Sequence, residues 1–180
     1  MPKIYTRAGD KGDTFCIALG ARVSKDHPLI GALGDIDEAN SFVGLARSMA
    51  RGEPVEEDLA WIQSLLFRVG YTIAGFPSLD ESDVKRLEDI IDTYMGNVEL
   101  NTFILPYGDP ATSAIHVARS IVRRAERSIV AAIRNGLDIR EKDLILKIVN
   151  RLSDALFAIA VKRSIEKGVM EPAPRAGRLE

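Results

Sequence analysis

The sequence predicts an all-α protein: a five-helix antiparallel bundle behind an irregular glycine-containing N-terminal loop. Three observations predict it. Five segments place apolar residues at alternating steps of three and four, the period of one helix face. Between them stand the proline, glycine and asparagine signals that start and stop helices. No run alternates polar and apolar for more than a few residues, as a half-buried strand would.

In chain order, residues 1–26 carry turn chemistry, with Gly9-Asp10, Lys11-Gly12-Asp13 and Gly20 breaking any long period. A first helix is expected from Pro28, a favoured first-turn residue, to about residue 51, with Leu29, Leu33, Ile36, Asn40 and Val43 as its stripe. Gly31, Gly34 and Gly44 each lower its propensity by roughly 1 kcal/mol relative to Ala, which close helix packing would offset. The second helix follows Gly52-Glu53-Pro54, with Glu56, Glu57 and Asp58 in the first turn, where the helix dipole favours negative charge. Leu59, Ile62, Leu66, Val69 and Ile73 form its stripe, and Gly75-Phe76-Pro77 ends it. The third spans 82–95, with Val84, Leu87, Ile91 and Tyr94 or Met95 inward, and 101–110 is a loop.

The fourth helix starts near Pro110, and Ile115, Ala118, Val122, Ala125, Ile129 and Ala132 make a bundle seam before Asn135-Gly136 stops it. The fifth spans 139–167 and is apolar on nearly every side over 144–161, which marks a central, buried helix. Residues 1–170 are expected to form one domain and 171–180 a flexible tail.

Bulk composition narrows the function. The 180 residues suit one core, and a net charge of −2 argues against a protein that coats nucleic acid. The single cysteine, Cys16, fits a reducing cytoplasm. No run approaches the roughly 18 apolar residues of a membrane span, and the first seven residues lack a signal core. Two histidines and one cysteine argue against a zinc site, and the absence of Glu-x-x-His against a di-iron site.

Polar residues beside apolar stripes are the informative ones, because a buried charge needs a partner or a role. Arg119, Arg123 and Glu126 share one face of the fourth helix, while Arg124 and Arg127 project elsewhere. Two guanidiniums one turn apart make an anion clamp; the alternative is a solvated face with an Arg–Glu pair. Asn150 and Asp154 lie one turn apart inside the most apolar segment, as glue to an arginine of the fourth helix or as ligand holders. Asp37 lies beside the first stripe, either reaching an arginine across a helix interface or simply solvated. The head, from Thr6 through Gly9, Lys11 and Gly12 to Thr14, offers cations and backbone N–H groups to phosphates or is a plain surface turn. It is not a Walker A loop. His116 reads as a helix residue near the seam.

Taken together, these segments resemble the all-helical ATP:cob(I)alamin adenosyltransferases. The resemblance rests on Ile4-Tyr5-Thr6-Arg7-Ala8-Gly9-Asp10-Lys11-Gly12, on Gly34-Asp35-Ile36-Asp37-Glu38-Ala39-Asn40, and on Phe103-Ile104-Leu105-Pro106 followed by His116-Val117-Ala118-Arg119. It continues with Arg123-Arg124-Ala125-Glu126-Arg127 and Asn150-Arg151-Leu152-Ser153-Asp154, in order from residue 3 to about 163. The chain departs from the pattern at Ala8, Asp13, Phe15, Cys16, Asp35 and Tyr107, and in a longer connection between Glu126 and Asn150.

The resemblance implies a homotrimer with active sites between subunits, transferring the 5′-deoxyadenosyl group of ATP to the cobalt of cob(I)alamin, with Mg²⁺ accompanying the nucleotide. By position it implies that Thr6, Arg7, Gly9, Lys11, Gly12 and Thr14, with Lys25, hold the triphosphate. Arg123, Glu126 and Asn150 would hold nucleotide, with Glu126 at the metal. Asp37 would pair with Arg119 across the interface, Phe103 would press on the lower corrin face, and Asp154 would support the polar network. A reductase and an adenosylcobalamin-dependent mutase are the implied partners, with neither nucleic acid nor membrane. The rival readings are an ATP-binding regulator without turnover, a cobalamin delivery chaperone, and a structural oligomeric bundle.

Overall fold

A computed structural model describes residues 4–174. Five helices carry the fold: α1 (Pro28–Met49), α2 (Val55–Ile73), α3 (Glu81–Met95), α4 (Pro110–Arg134) and α5 (Lys142–Glu166). α1 packs on α2 and α4, α4 also packs on α5, and α5 on α3. Cross-links fix the directions. Asp35 and Glu38 meet Arg124, while Asp35 also accepts from Ser128, so α1 and α4 are antiparallel. Thr112 meets Arg163 and Glu126 meets Asn150, so α4 and α5 are antiparallel too. Glu81 with Lys147 and Glu88 with Arg151 show α3 and α5 side by side and parallel, as strict up-down alternation requires.

The predicted seams are the core. All six α4 seam residues have 0% exposure, as do Ile145, Ile148, Leu152, Leu156 and Ile159 of the central α5. α3 turns slightly from the expected stripe, burying Ile90 in preference to Ile91. Of the three α1 glycines, only Gly44 is packed: a Cβ there would stand 2.7 Å from the Gln63 side chain, whereas Gly31 and Gly34 face open space.

Two boundaries differ from expectation. The head is not wholly irregular: β1 (Asp13–Cys16) and β2 (Ala21–Ser24) form an antiparallel hairpin with Thr14 opposite Val23. Its strands have four residues each, too short to show a period of two. Gly20, at φ 61°, closes the turn by donating to the Ile17 carbonyl at 3.1 Å. The last helix starts at Lys142 rather than 139, because Glu141 adopts φ 57° while Ile139 is already buried in the connection.

Asp109 caps α4, accepting from the amides of Ala111 and Thr112. Beneath it lies Arg163, whose side chain is 4% exposed and bonds to Asp109, Glu53 and Thr112. Residues 171–173, expected within the tail, run beside the loop before α4: Leu105 donates to the Glu171 carbonyl at 2.9 Å and Ala173 to the Phe103 carbonyl at 2.7 Å. Residues 175–180 lie outside the described residues.

Candidate active site

Arg119 leaves α4 into a cleft of about 800 Å³ whose walls are the 100–104 segment and Phe157 of α5. Its guanidinium carbon stands 5.8 Å from the Phe157 ring centroid. Its Nε is buried and, among the described residues, without a hydrogen-bond partner. Burial first, and then the charge of Arg123, lowers its pKa. Among the described residues no carboxylate pairs with this half-buried cation, so the cleft can accept a negative group. Phe103 stands at its edge, 87% exposed. One turn before Arg119, His116 is buried with neither ring nitrogen bonded among the described residues; burial, then the Arg119 charge, lowers its pKa to about 4.

Further along α4, Arg123 is exposed, and no ion pair joins it to Glu126 among the described residues. Glu126 instead accepts from Asn150 Nδ2 at 3.3 Å, while Asn150 Oδ1 accepts from Arg151 at 3.1 Å. Asn150, expected either as glue to an α4 arginine or as a ligand holder, thus bonds to the α4 carboxylate instead, and the pair lies between two surface depressions. One is lined by Arg127, Val130 and Arg134, the other by Glu88, Leu146 and Lys147. Asp154, expected inside the apolar segment, is exposed: its face of α5 is closed at Val161 but only half covered at Leu146 and Phe157.

The head is an ordered loop with cations around it. Gly12 donates to the Gly9 carbonyl at 3.2 Å, Lys25 donates its amide to the Gly12 carbonyl at 2.8 Å, and Arg22 donates to the Ala8 carbonyl at 2.6 Å. Thr6 Oγ1 accepts from the Ala8 amide at 3.3 Å. Lys25 Nζ lies 3.2 Å from where a Cβ on Gly9 would stand, so Gly9 makes room for that ammonium. Arg7 holds φ 60°, and Gly12 φ 86°. Lys11 is exposed and Thr14 half-buried on β1.

Within one chain the two halves stay apart. Among the described residues, no hydrogen bond or ion pair joins the head to Arg119, Arg123, Glu126 or Asn150. Asp37 likewise does not meet Arg119; it is exposed in a groove with Leu33, Phe67 and Tyr71. The α1 acids that pair within the chain are Asp35 and Glu38, both on Arg124. Reading i, i+3 acids against Arg124 and Ser128 at i, i+4 offered that signal. Sequence reasoning gave no wall role to Phe157 and none to the 171–173 segment.

A five-helix bundle with a cationic head loop and an arginine-edged apolar cleft belongs to the class of proteins suited to hold an anionic ligand beside an apolar one. The cobalamin adenosyltransferase family model matches residues 4–163, and the chain belongs to that family. It is 41% identical over 177 residues to a corrinoid adenosyltransferase of Bacillus subtilis, covering 93% of this chain and 89% of that protein. To a human corrinoid adenosyltransferase it is 34% identical, covering 95% of this chain and 72% of that one. Among solved structures, a variant PduO-type ATP:corrinoid adenosyltransferase from Lactobacillus reuteri, complexed with cobalamin and ATP, superposes with a TM-score of 0.88 at 35% identity, covering 99% of this chain and 100% of that one.

Proposed function

We propose that this protein transfers the 5′-deoxyadenosyl group of ATP to the cobalt of cob(I)alamin, forming the cobalt–carbon bond as the C5′–O bond breaks and triphosphate leaves. The observation that carries this reading is the ordered cationic head loop, in which Gly9 makes room for the Lys25 ammonium, on the same chain as an apolar cleft edged by Phe103 and Phe157. Cob(I)alamin is itself the nucleophile, so no Ser, Cys or His need attack. The chain's task is to align the substrates and neutralise the departing triphosphate. Thr6, Arg7, Gly9, Lys11, Gly12, Thr14 and Lys25 cradle phosphates from one subunit, and Arg123, Glu126 and Asn150 grip the nucleotide from its neighbour. Asp37 of one subunit supplies the anion that Arg119 of another lacks, an interface that repeats head to tail around a closed ring, and membership of the family supports a ring of three. Phe103 excludes an axial ligand from the cobalt's lower face and so eases its reduction.

Magnesium enters with ATP. Among the described residues no cluster of three or more His, Cys, Asp or Glu offers a cage for a resident metal. One carboxylate, Glu126, beside a phosphate site fits Mg²⁺, which commonly takes one or two carboxylates plus substrate phosphates. A reductase supplies the electron and an adenosylcobalamin-dependent mutase takes the product. No helix of the described residues is long and apolar enough to cross a membrane, which suits a cytoplasmic setting. The test is anaerobic turnover with MgATP and chemically reduced cob(I)alamin. Adenosylcobalamin and triphosphate appearing in equal amounts supports the reading; ATP binding without transfer contradicts it.

A further inference from the structure

Phe103 has little side-chain packing to hold it, since it is 87% exposed. Its position is therefore set by backbone. Among the described residues, the hydrogen bonds tying 103–105 to a distant part of the chain are two: Leu105 amide to the Glu171 carbonyl, 2.9 Å, and Ala173 amide to the Phe103 carbonyl, 2.7 Å. Ile104 and Pro172 face each other between them as an antiparallel bridge.

The composition of this segment makes the pairing one-sided and single-register. In Glu171-Pro172-Ala173-Pro174, neither proline has an amide hydrogen, so Ala173 is the sole donor across 172–174. A slip of one residue would set a proline nitrogen against the Phe103 carbonyl and lose the bond. The fixed proline φ also limits what the segment loses on pairing. On the far side of the loop, Asp109 is held by Arg163 at 3.1 Å. The aromatic edge of the cleft thus hangs between two anchors.

We propose that residues 171–173 are a positioning strap for Phe103, fixing how far its ring stands into the cleft and so how completely the cobalt's lower face is freed of its axial ligand. The inference rests on the function proposed above. Ala173→Pro removes the one donor, whereas Ala173→Ser keeps it. Hydrogen exchange at the Leu105 amide in the unliganded protein reads the strap itself and is accelerated in Ala173→Pro only. The visible and paramagnetic resonance spectra of bound cob(II)alamin with MgATP read its effect. The fraction lacking an axial ligand falls about tenfold in Ala173→Pro, in keeping with the rate cost of small misplacements, while KM for MgATP with chemically reduced cob(I)alamin stays at the wild-type value.

Should Ala173→Pro fold poorly, Pro172→Gly with Pro174→Gly loosens the register and shifts both readouts the same way by less. Unaltered Leu105 exchange overturns the strap. Accelerated exchange with an unchanged cobalt spectrum overturns its positioning role. A wild-type protein that fails to adenosylate cobalamin overturns the proposed function, and the exchange measurement still decides whether the strap exists.

Discussion

Two arginines at the α4–α5 interface have opposite fates. Arg163 is 4% exposed and fully engaged, giving Nε to Thr112 at 3.2 Å, Nη2 to Asp109 at 3.1 Å and Nη1 to Glu53. Burial lowers its pKa, but the bonds from Glu53 and Asp109 outweigh that and raise it. Arg119, on α4 about two turns past the Thr112 that Arg163 bonds, has an unbonded Nε and a lowered pKa. Arg163 is a clamp that the chain completes by itself. Arg119 is a charge that the chain leaves for something else to complete. A buried arginine is thus read by its partners, not by its burial.

The comparison predicts distinct mutational signatures. Arg163→Met leaves Asp109 and Glu53 without their cation and costs about 3 kcal/mol or more of fold stability, measured by denaturant unfolding; a loss under about 1 kcal/mol would break the contrast. Arg123→Ala, at an exposed position, lowers turnover about 100-fold while the unfolding midpoint holds. Near-normal turnover would remove Arg123 from the triphosphate site.

His116 gives a pH signature beside Arg119. Its folded pKa, about 4, lies below the ordinary 6.5, so the unfolded state binds the extra proton between those values. The stabilisation is complete above pH 6.5 and is lost as pH falls toward 4, by at most about 3 kcal/mol. His116→Leu flattens the stability profile in that window, and an unchanged slope would mean that another group titrates there. The smallest effect is the coupling between Asp37→Ala and Arg119→Ala: about 1 kcal/mol in assembly of the proposed trimer, with strict additivity discarding the pair.

How legible these features were depended on their range in sequence. The α4 seam repeats within the helix, and all six of its residues are fully buried as expected. Glu126 was marked by its place beside the α4 seam and Asn150 by interrupting the apolar run of α5; that the two bond to each other was not foreseen, because the sequence does not show which α4 residue faces Asn150. Arg163 gave no such sign, because its carboxylate partners lie 54 and 110 residues away and one caps another helix. Asp154 was expected inside because its neighbours are apolar, yet a single chain only partly covers that face. The hairpin was hidden by strand length and by glycines that read equally well as a loose turn.

The most direct test of a site completed by a neighbouring copy is subunit mixing. Under the proposed function, Lys11→Ala weakens the phosphate loop and Arg123→Ala the helical half, so each protein alone is expected to lose most of its transfer activity. After exchange of subunits between the two, mixed assemblies of the proposed kind would contain interfaces where an intact loop meets an intact α4. The account predicts recovered adenosylcobalamin formation in the mixture. No recovery, with mixed trimers shown to be present by mass, would place both halves of the site within one chain and contradict it.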